Sequence, residues 1–389
     1  NPLVLLKEYF SSFEVHSDET QDEFNGGLVG SLGYDFIRYT ENLPDDNEDE
    51  IALLEREINH NIQKRQKELE LTIALTNYCN FSCVYCYQNK NEKLMTTEVA
   101  NMIIEKIDRI LNDNIFEGIN IHYFGGEPLL NIPVLIYLDE NIKKITDKIG
   151  IVYKAFLTTN GSMLSKELLQ KVKFSSIQLT FDGLEKTHDR LRVSDHFHFK
   201  EEIELIENIM NFSQAKVLLR TNICKENKDE IIALHKYIFE KFGNERIEIN
   251  PNRTIKYHQD DSFEMLSVQE YAEVAYQIKL LWSEQKGKFE LPVPRSTPCK
   301  FPYGNAYAIS PEGYCTFCSG SMDQEKKYFF DVDIENKKMF SVRKECKKCN
   351  ILPLCLGGCI IQYNLRAGAC TYEKYELKNI LISYIKHIS

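Results

Sequence analysis

The chain has 389 residues, of which 43% are hydrophobic and 27% charged, enough for two domains and ordinary for a soluble globular protein. Asp and Glu number 58 against 47 Lys and Arg; the resulting −11 argues against gripping phosphate backbones, so no nucleic-acid partner is expected. The longest apolar runs are strand-length and no basic, then apolar leader opens the chain, so neither a membrane nor secretion is expected, and a cytoplasmic setting is.

In chain order, residues 1–70 read as an appendage. Asn1-Pro2-Leu3-Val4-Leu5-Leu6-Lys7-Glu8-Tyr9, Gly26-Gly27-Leu28-Val29-Gly30, Gly33-Tyr34-Asp35 and Arg38-Tyr39 resemble the N-terminal domain of anthranilate synthase component I. The likeness covers residues 1–51 and stops there, without that enzyme's chorismate-converting domain, so it carries no activity over. An acidic stretch, Asp45 to Glu50, leads into Ile51–Lys67, whose charged helical pattern predicts a solvated linker helix.

Residues 71–250 alternate strand and helix. Predicted strands are Leu71–Leu75, Ile119–Phe124, Ile151–Leu157, Ile177–Phe181, Val217–Arg220 and Ile247–Ile249. Predicted helices are Thr96–Leu111, Val134–Ile149, Lys166–Val172, Glu201–Asn211 and Asp229–Phe242. Six such units imply parallel strands with right-handed crossovers, in a doubly wound sheet or a partial barrel. Each strand runs into a polar loop: the cysteines Cys79, Cys83 and Cys86, then Gly125-Gly126-Glu127-Pro128, Thr158-Thr159-Asn160-Gly161, Asp182-Gly183, Thr221-Asn222 and Asn250-Pro251. Groups at six successive strand ends share one mouth only if the sheet curls, so the α/β fold expected is a partial (β/α)6 barrel. Residues 251–298 read as a bridge around a helix at Val268–Trp282, and residues 299–389 as a cysteine-rich domain closed by a helix at Thr371–Ile388.

Twelve cysteines in 389 residues fall far below a disulfide scaffold, and their spacing favours metal over cystine. A reducing compartment follows. Cys79-x3-Cys83-x2-Cys86 leaves a tetrahedral zinc site one ligand short; a 4Fe–4S cube held by three thiolates keeps one iron open for a small molecule. The spacing, Tyr85 before the last cysteine and the Gly-Gly-Glu-Pro run resemble the radical SAM superfamily. That resemblance implies S-adenosylmethionine chelated at the open iron, cleaved by one electron to a 5′-deoxyadenosyl radical that abstracts hydrogen. It further implies cofactor contacts from Gly125, Gly126, Glu127 and Pro128, from Thr180 and Asp182, and from Arg220 as a carboxylate-binding arginine. A strand-end turn remains open for Thr180 and Asp182, and a plain salt bridge for Arg220.

Eight cysteines follow: Cys299-x15-Cys315-x2-Cys318, then Cys346-x2-Cys349-x5-Cys355-x3-Cys359-x10-Cys370. Eight thiolates make two four-ligand sites, and the pattern resembles the SPASM domain of peptide-modifying radical SAM proteins. By that resemblance Cys299, Cys315, Cys318 and Cys359 hold one auxiliary 4Fe–4S cluster, with Cys315 the most variable ligand, and Cys346, Cys349, Cys355 and Cys370 hold a second. Three iron–sulfur clusters are therefore expected; paired zinc ribbons stay as the alternative. Cys224 reads as core packing with hydrogen-atom donation as its rival, and His188 with Asp189 as a structural helix start.

The resemblance implies a peptide or protein substrate and an external one-electron reductant of flavodoxin or ferredoxin type. Sulfatase-maturing relatives carry an Asp directly after the cysteine matching Cys318; here Ser319 follows, which weakens formylglycine formation. Two auxiliary clusters suit a net two-electron oxidation, so oxidative crosslinking of a ribosomally made precursor peptide, by a thioether, is preferred over carbon–carbon crosslinking or epimerisation. A purely structural or electron-transfer protein is the non-catalytic rival, although it leaves the Gly-Gly-Glu-Pro loop without a purpose.

Overall fold

The computed structural model describes residues 48–113, 116–243, 246–256, 262–287, 292–303, 305–316, 318–319, 327–332, 339–359 and 370–388. The segment that resembles anthranilate synthase therefore lies outside the described residues, apart from its last four.

Nine strands form one sheet: β1 (Glu68–Ala74), β2 (Gly118–Phe124), β3 (Val152–Thr158), β4 (Phe174–Thr180), β5 (Lys216–Ile223), β6 (Ile247–Arg253), β7 (Ala306–Ile309), β8 (Tyr314–Thr316) and β9 (Lys327–Tyr328). The order is β6-β5-β4-β3-β2-β1-β7-β8-β9. Strands β1 to β6 pair in sequence order and all in parallel. A doubly wound sheet reverses its order at a switch point; β1 to β6 run without reversal, which is the topology of a barrel wall.

The helices are α1 (Glu48–Arg65), α2 (Thr97–Asp113), α3 (Ile132–Ile149), α4 (Lys166–Lys171), α5 (Glu185–Leu191), α6 (Phe199–Phe212), α7 (Ile231–Phe242), α8 (Val268–Lys286), α9 (Lys300–Tyr303), α10 (Leu352–Cys355) and α11 (Glu373–Ile388). Alternate strand residues such as Leu71, Ile73, Ile121, Ile177 and Leu219 face the helices and form one continuous core. Their neighbours face the other way. Those inward residues are polar at most positions, which leaves the lumen open for chemistry.

Three expectations need correction. The linker helix is not a solvated one: Ile58 and Ile62 of α1 are buried against Phe340, Val342, Leu352 and Leu356. The periodicity misleads because only one narrow stripe of an otherwise charged helix is covered. The boundary between barrel and cysteine-rich region is also different, since β7 pairs in parallel with β1 and carries the barrel's sheet into β8 and β9. Lastly, β1 starts at Glu68 and β6 runs to Arg253, so the barrel extends past both expected ends.

The bridging helix α8 joins the two halves. Trp282 donates its indole N–H to Nδ1 of the buried His235 on α7 at 3.0 Å. The closing helix α11 lies on α8 through the Lys279–Glu376 ion pair, and Tyr372 just before it meets Tyr271 edge-on with ring centroids 5.2 Å apart.

Candidate active site

The loop after β1 is pinned before it delivers its cysteines. Thr76 donates its hydroxyl to the Lys93 carbonyl at 2.8 Å and accepts from the Tyr78 N–H at 2.9 Å. Ser82 and Val84 then donate their N–H groups to the carbonyls of Val193 and Leu191, at 2.8 and 3.0 Å. That ladder places the segment after α5, and with it Arg192, beneath the cysteines. The Arg192 guanidinium lies 5.4 Å from the Phe81 ring centroid and its Nε 4.0 Å from Glu202.

The Gly-Gly-Glu-Pro loop is bonded to the same root. Gly126 and Glu127 donate to the carbonyls of Thr76 and Tyr78, both at 2.8 Å. A Cβ on Gly125 would run into the Thr76 carbonyl, and one on Gly126 into that of Tyr78, so this close approach of two backbones requires both glycines. Glu127 turns away from the mouth. Its carboxylate accepts from the Leu129 N–H at 3.0 Å, the Thr159 hydroxyl at 2.6 Å and the Asn160 N–H at 2.7 Å, tying the β2 loop to the β3 loop. Burial pushes its carboxyl up to about 7 against the pull of those bonds.

One cavity of about 250 Å³ collects the strand ends. Cys79, Cys83 and Cys86 line it, with Gly125, Gly126, Thr180 and Arg220 of the expected residues. Glu127, Pro128 and Asp182 are not in its wall. Asp182 is fully buried and accepts from the Tyr85 hydroxyl and, at 2.7 Å, from the Asn222 N–H, so it fixes Tyr85 and the β5 end behind the cavity. Arg220 is oriented by donating Nε to Asn222 at 2.9 Å. Arg192, Asn160, Gln178, Asn222 and Asn252 also line the cavity. Asn160 stands in a loop that the strand pattern marks, and Asn222, expected in the next such loop, lies within the end of β5; Arg192 has no sequence signal beyond following the His-Asp pair.

Burial pushes the Cys83 thiol up to about 11, and the Arg192 guanidinium opposes that rise. Cys79 accepts from the Phe81 N–H at 3.4 Å. The same bond, from an N–H two residues on, reaches Cys355 from Gly357 at 3.4 Å, and Phe301 bonds Cys299 in the same sense. N–H groups aimed at sulfur stabilise thiolates and suit iron–sulfur ligation. Among the described residues no three His, Cys, Asp or Glu side chains converge on a single metal point. A cube gives each thiolate its own iron and does not require such convergence, so three thiols in one cavity wall fit the group.

In the cysteine-rich region the Cys359 sulfur reinforces the rise that burial imposes on the Cys299 thiol, and Cys349 does the same for Cys355. These neighbours fall within the two expected sets. Cys315 departs from its set: on β8 it pairs with Ile309 and is buried in the main core, on the helix-facing side of the sheet. Cys224 is fully buried with Leu191 and Phe263, as core packing requires. His188 sits between Glu202, 3.1 Å from Nε2, and the rings of Phe181 and Phe199, a structural position.

Residues 73–238, which carry the cysteines, glycines and strand ends gathered at the barrel mouth, match the family model of the radical SAM superfamily. Among relatives, the radical SAM cyclopropyl synthase TigE of Paramaledivibacter caminithermalis is 24% identical over 84% of this chain and 76% of its own. An uncharacterized protein of Methanocaldococcus jannaschii is 34% identical over 119 residues, 30% of this chain and 39% of its own length. The chain thus spans well under two thirds of that relative. Among solved structures, anSMEcpe with bound AdoMet has a TM-score of 0.64 at 18% identity, covering 82% of this chain and 98% of that one. Streptococcus suis SuiB bound to precursor peptide SuiA has a TM-score of 0.56 at 16% identity, covering 96% and 86%. These two are likenesses of fold. Among the described residues no helix is long and apolar enough to cross a membrane.

Proposed function

We propose that this protein is a radical SAM peptide maturase that oxidatively crosslinks a ribosomally made precursor peptide, with thioether formation as the preferred bond. The observation that carries the reading is the single cavity in which Cys79, Cys83 and Cys86 meet residues from the ends of the barrel strands. Cys79, Cys83 and Cys86 would hold a 4Fe–4S cluster, and Gly125, Gly126, Thr180 and Arg220 would line the S-adenosylmethionine site. When bound, that pair supplies hydrogen-atom abstraction started by one electron. The chain's own part is to hold and exclude. Arg220, held by Asn222, offers a cation for a carboxylate. Glu127 and Asp182 lock the loops that form the walls, and Arg192 sets a positive charge beside Cys83.

Cys299, Cys318 and Cys359, and separately Cys346, Cys349, Cys355 and Cys370, are the ligands we assign to two auxiliary clusters. Their part would be to take the second electron, to be passed on to a carrier of flavodoxin or ferredoxin type. The fold shared with SuiB, which was solved bound to a precursor peptide, supports a peptide substrate. TigE favours a second reading, carbon–carbon bond closure, because it is described as a cyclopropyl synthase.

The test is incubation of the anaerobically reconstituted protein with S-adenosylmethionine, reductant and any short cysteine-containing peptide found encoded beside its gene. Either bond removes two hydrogens from the peptide mass and yields 5′-deoxyadenosine; a thioether also blocks a cysteine from alkylation, whereas a carbon–carbon bond leaves it reactive. A peptide mass unchanged in ordinary water and raised by one deuterium in heavy water would mean epimerisation and overturn the oxidative reading.

A further inference from the structure

Below the cofactor cavity the barrel holds a second one of about 180 Å³. Closed eight-stranded barrels are packed inside by bulky branched side chains, and this six-stranded wall is not. Here the inward positions are Glu70 on β1, Asn120 and His122 on β2, and Ser176 and Gln178 on β4, with Phe156 and Leu218 as apolar walls. Gln178 lines both cavities, so the upper opens toward the lower across one side chain. The space suits a small side chain rather than a single water.

Its chemistry is well defined. At the floor, Lys300 from the cysteine-rich region donates to Glu70 at 2.5 Å, and Arg65 of α1 reaches the other oxygen at 3.1 Å. Asn120 donates to Glu68 at 2.9 Å. His122 shares a 2.7 Å hydrogen bond with Thr158, and burial pushes it down to about 4, with Lys300 adding to the fall, so it is neutral at physiological pH. Among the described residues the Gln178 side chain accepts a long 3.5 Å bond from Asn250, and neither its N–H groups nor the Ser176 hydroxyl has a partner. An ion entering here would have to disrupt paired charges. An apolar group would leave Ser176 and Gln178 without water or partner.

We propose that this lower chamber is a second binding compartment, which takes an uncharged hydroxyl or carboxamide side chain of the molecule whose reacting carbon faces the upper cavity; the proposal rests on the peptide-substrate reading above. A threonine, serine, asparagine or glutamine beside the modified position would be seated by Gln178 and Ser176, with Lys300 and Glu70 closing the floor.

The probes are N-acetyl-threonine methylamide and its isostere N-acetyl-valine methylamide, titrated by saturation-transfer NMR against the reconstituted full chain with S-adenosylmethionine. The threonine probe should bind roughly tenfold more tightly, as expected when the isostere leaves a buried polar group unmet. Ser176→Ala, a small change on a half-buried strand position, should cut that preference severalfold, and Ser176→Val should do the same if the first variant folds poorly. Equal binding of the two probes, or a preference unaltered in both variants, would overturn the proposal. Formation of 5′-deoxyadenosine by the unmodified protein is measured in parallel: its absence counts against the proposed function, whereas cleavage without probe preference counts against the chamber alone.

Discussion

In the barrel, Leu71, Ile121, Leu157, Ile177, Leu219 and Ile247 meet side by side on the helix-facing side of the sheet, each with no more than 1% of its surface exposed. Residues 339–359 bury Phe340, Val342, Ile351, Leu352 and Leu356, and all but Ile351 do so in a cluster that borrows Ile58 and Ile62 from α1. Even the backbone there depends on that helix. Asn59 donates to the Phe340 carbonyl at 3.0 Å and accepts its N–H at 2.8 Å, while Glu55 accepts the Val342 N–H at 2.6 Å. One region is stable through its own apolar surface, whereas the other relies on a helix from before the barrel and on whatever its thiols bind.

The hardest test of the contrast is Cys79→Ala, Cys83→Ala and Cys86→Ala made together. These side chains are half-buried at the barrel mouth and belong to none of the apolar clusters. The triple variant should therefore keep the barrel's circular dichroism and melting while 5′-deoxyadenosine formation falls to background. Cys349→Ala should instead lower the iron count of the cysteine-rich region and leave some cleavage in place. Loss of barrel melting in the triple variant would mean that the barrel, too, is stabilised by its metal.

Next in size is the borrowed helix face. Ile58→Ala and Ile62→Ala each delete a buried branched side chain, at a cost of about 2–5 kcal/mol for large-to-small changes in a packed site. Hydrogen exchange should then quicken at 340–342 and 352–356, where N–H groups are held by α1 or within α10, and stay slow in β1 to β6. Equal acceleration in both regions would show that barrel and cysteine-rich region unfold as one unit.

Why one region was so much more legible than the other follows from the distance over which its information acts. The Cys79 loop, the Gly125 turn and the six strands are local patterns, and parallel pairing in chain order lets each loop declare its place at the mouth. Arg192 reaches the cavity through a backbone ladder to Ser82 and Val84, a long-range pairing that leaves no periodic trace. The same is true of β7, a four-residue apolar run whose partner is β1. On α1 the buried Ile58 and Ile62 are separated by Asn59, His60 and Asn61 and flanked by Glu55, Arg56 and Glu57 on one side and Lys64 and Arg65 on the other, so the helix reads as solvated until its contacts are known. The inward polar residues of β2 and β4 are visible in sequence as alternation, but only the curl of the sheet turns them into a chamber.

A smaller effect is expected at Glu127, the carboxylate that binds the β2 and β3 loops. Its folded value of about 7 lies above the ordinary 4.5, so the folded state holds this proton more tightly. The stability it contributes is therefore full below pH 4.5 and declines as pH rises through about 7. Glu127→Gln should abolish that slope. It should also cost about 1–3 kcal/mol, because an amide N–H replaces one oxygen that now accepts a backbone N–H. Chemical denaturation at pH 5 and pH 8 measures both. A slope that persists in the variant would mean another group is responsible.

The smallest expected change concerns Cys315, where sequence pattern and packing part. Pattern places it with Cys299, Cys318 and Cys359; strand register does not. Leu71 pairs with Tyr307 and Ile73 with Ile309 across β1 and β7, and Ile309 pairs with Cys315 across β7 and β8. Directly paired residues share a face, so Cys315 points with Leu71 and Ile73 toward the helices, into the core, where its sulfur behaves as a small apolar group. Lys300, next to Cys299, reaches Glu70 on the opposite, inward face. Cys315→Ala should thus leave the iron content of the reconstituted protein unchanged and lower stability by about 1 kcal/mol, the scale of a small cavity. Cys299→Ala should lose iron without touching that core. If Cys315→Ala instead loses about four iron per chain, as a ligand of a four-iron cluster would, β8 must turn over when the metal binds, and the sheet would share that strand with the cluster.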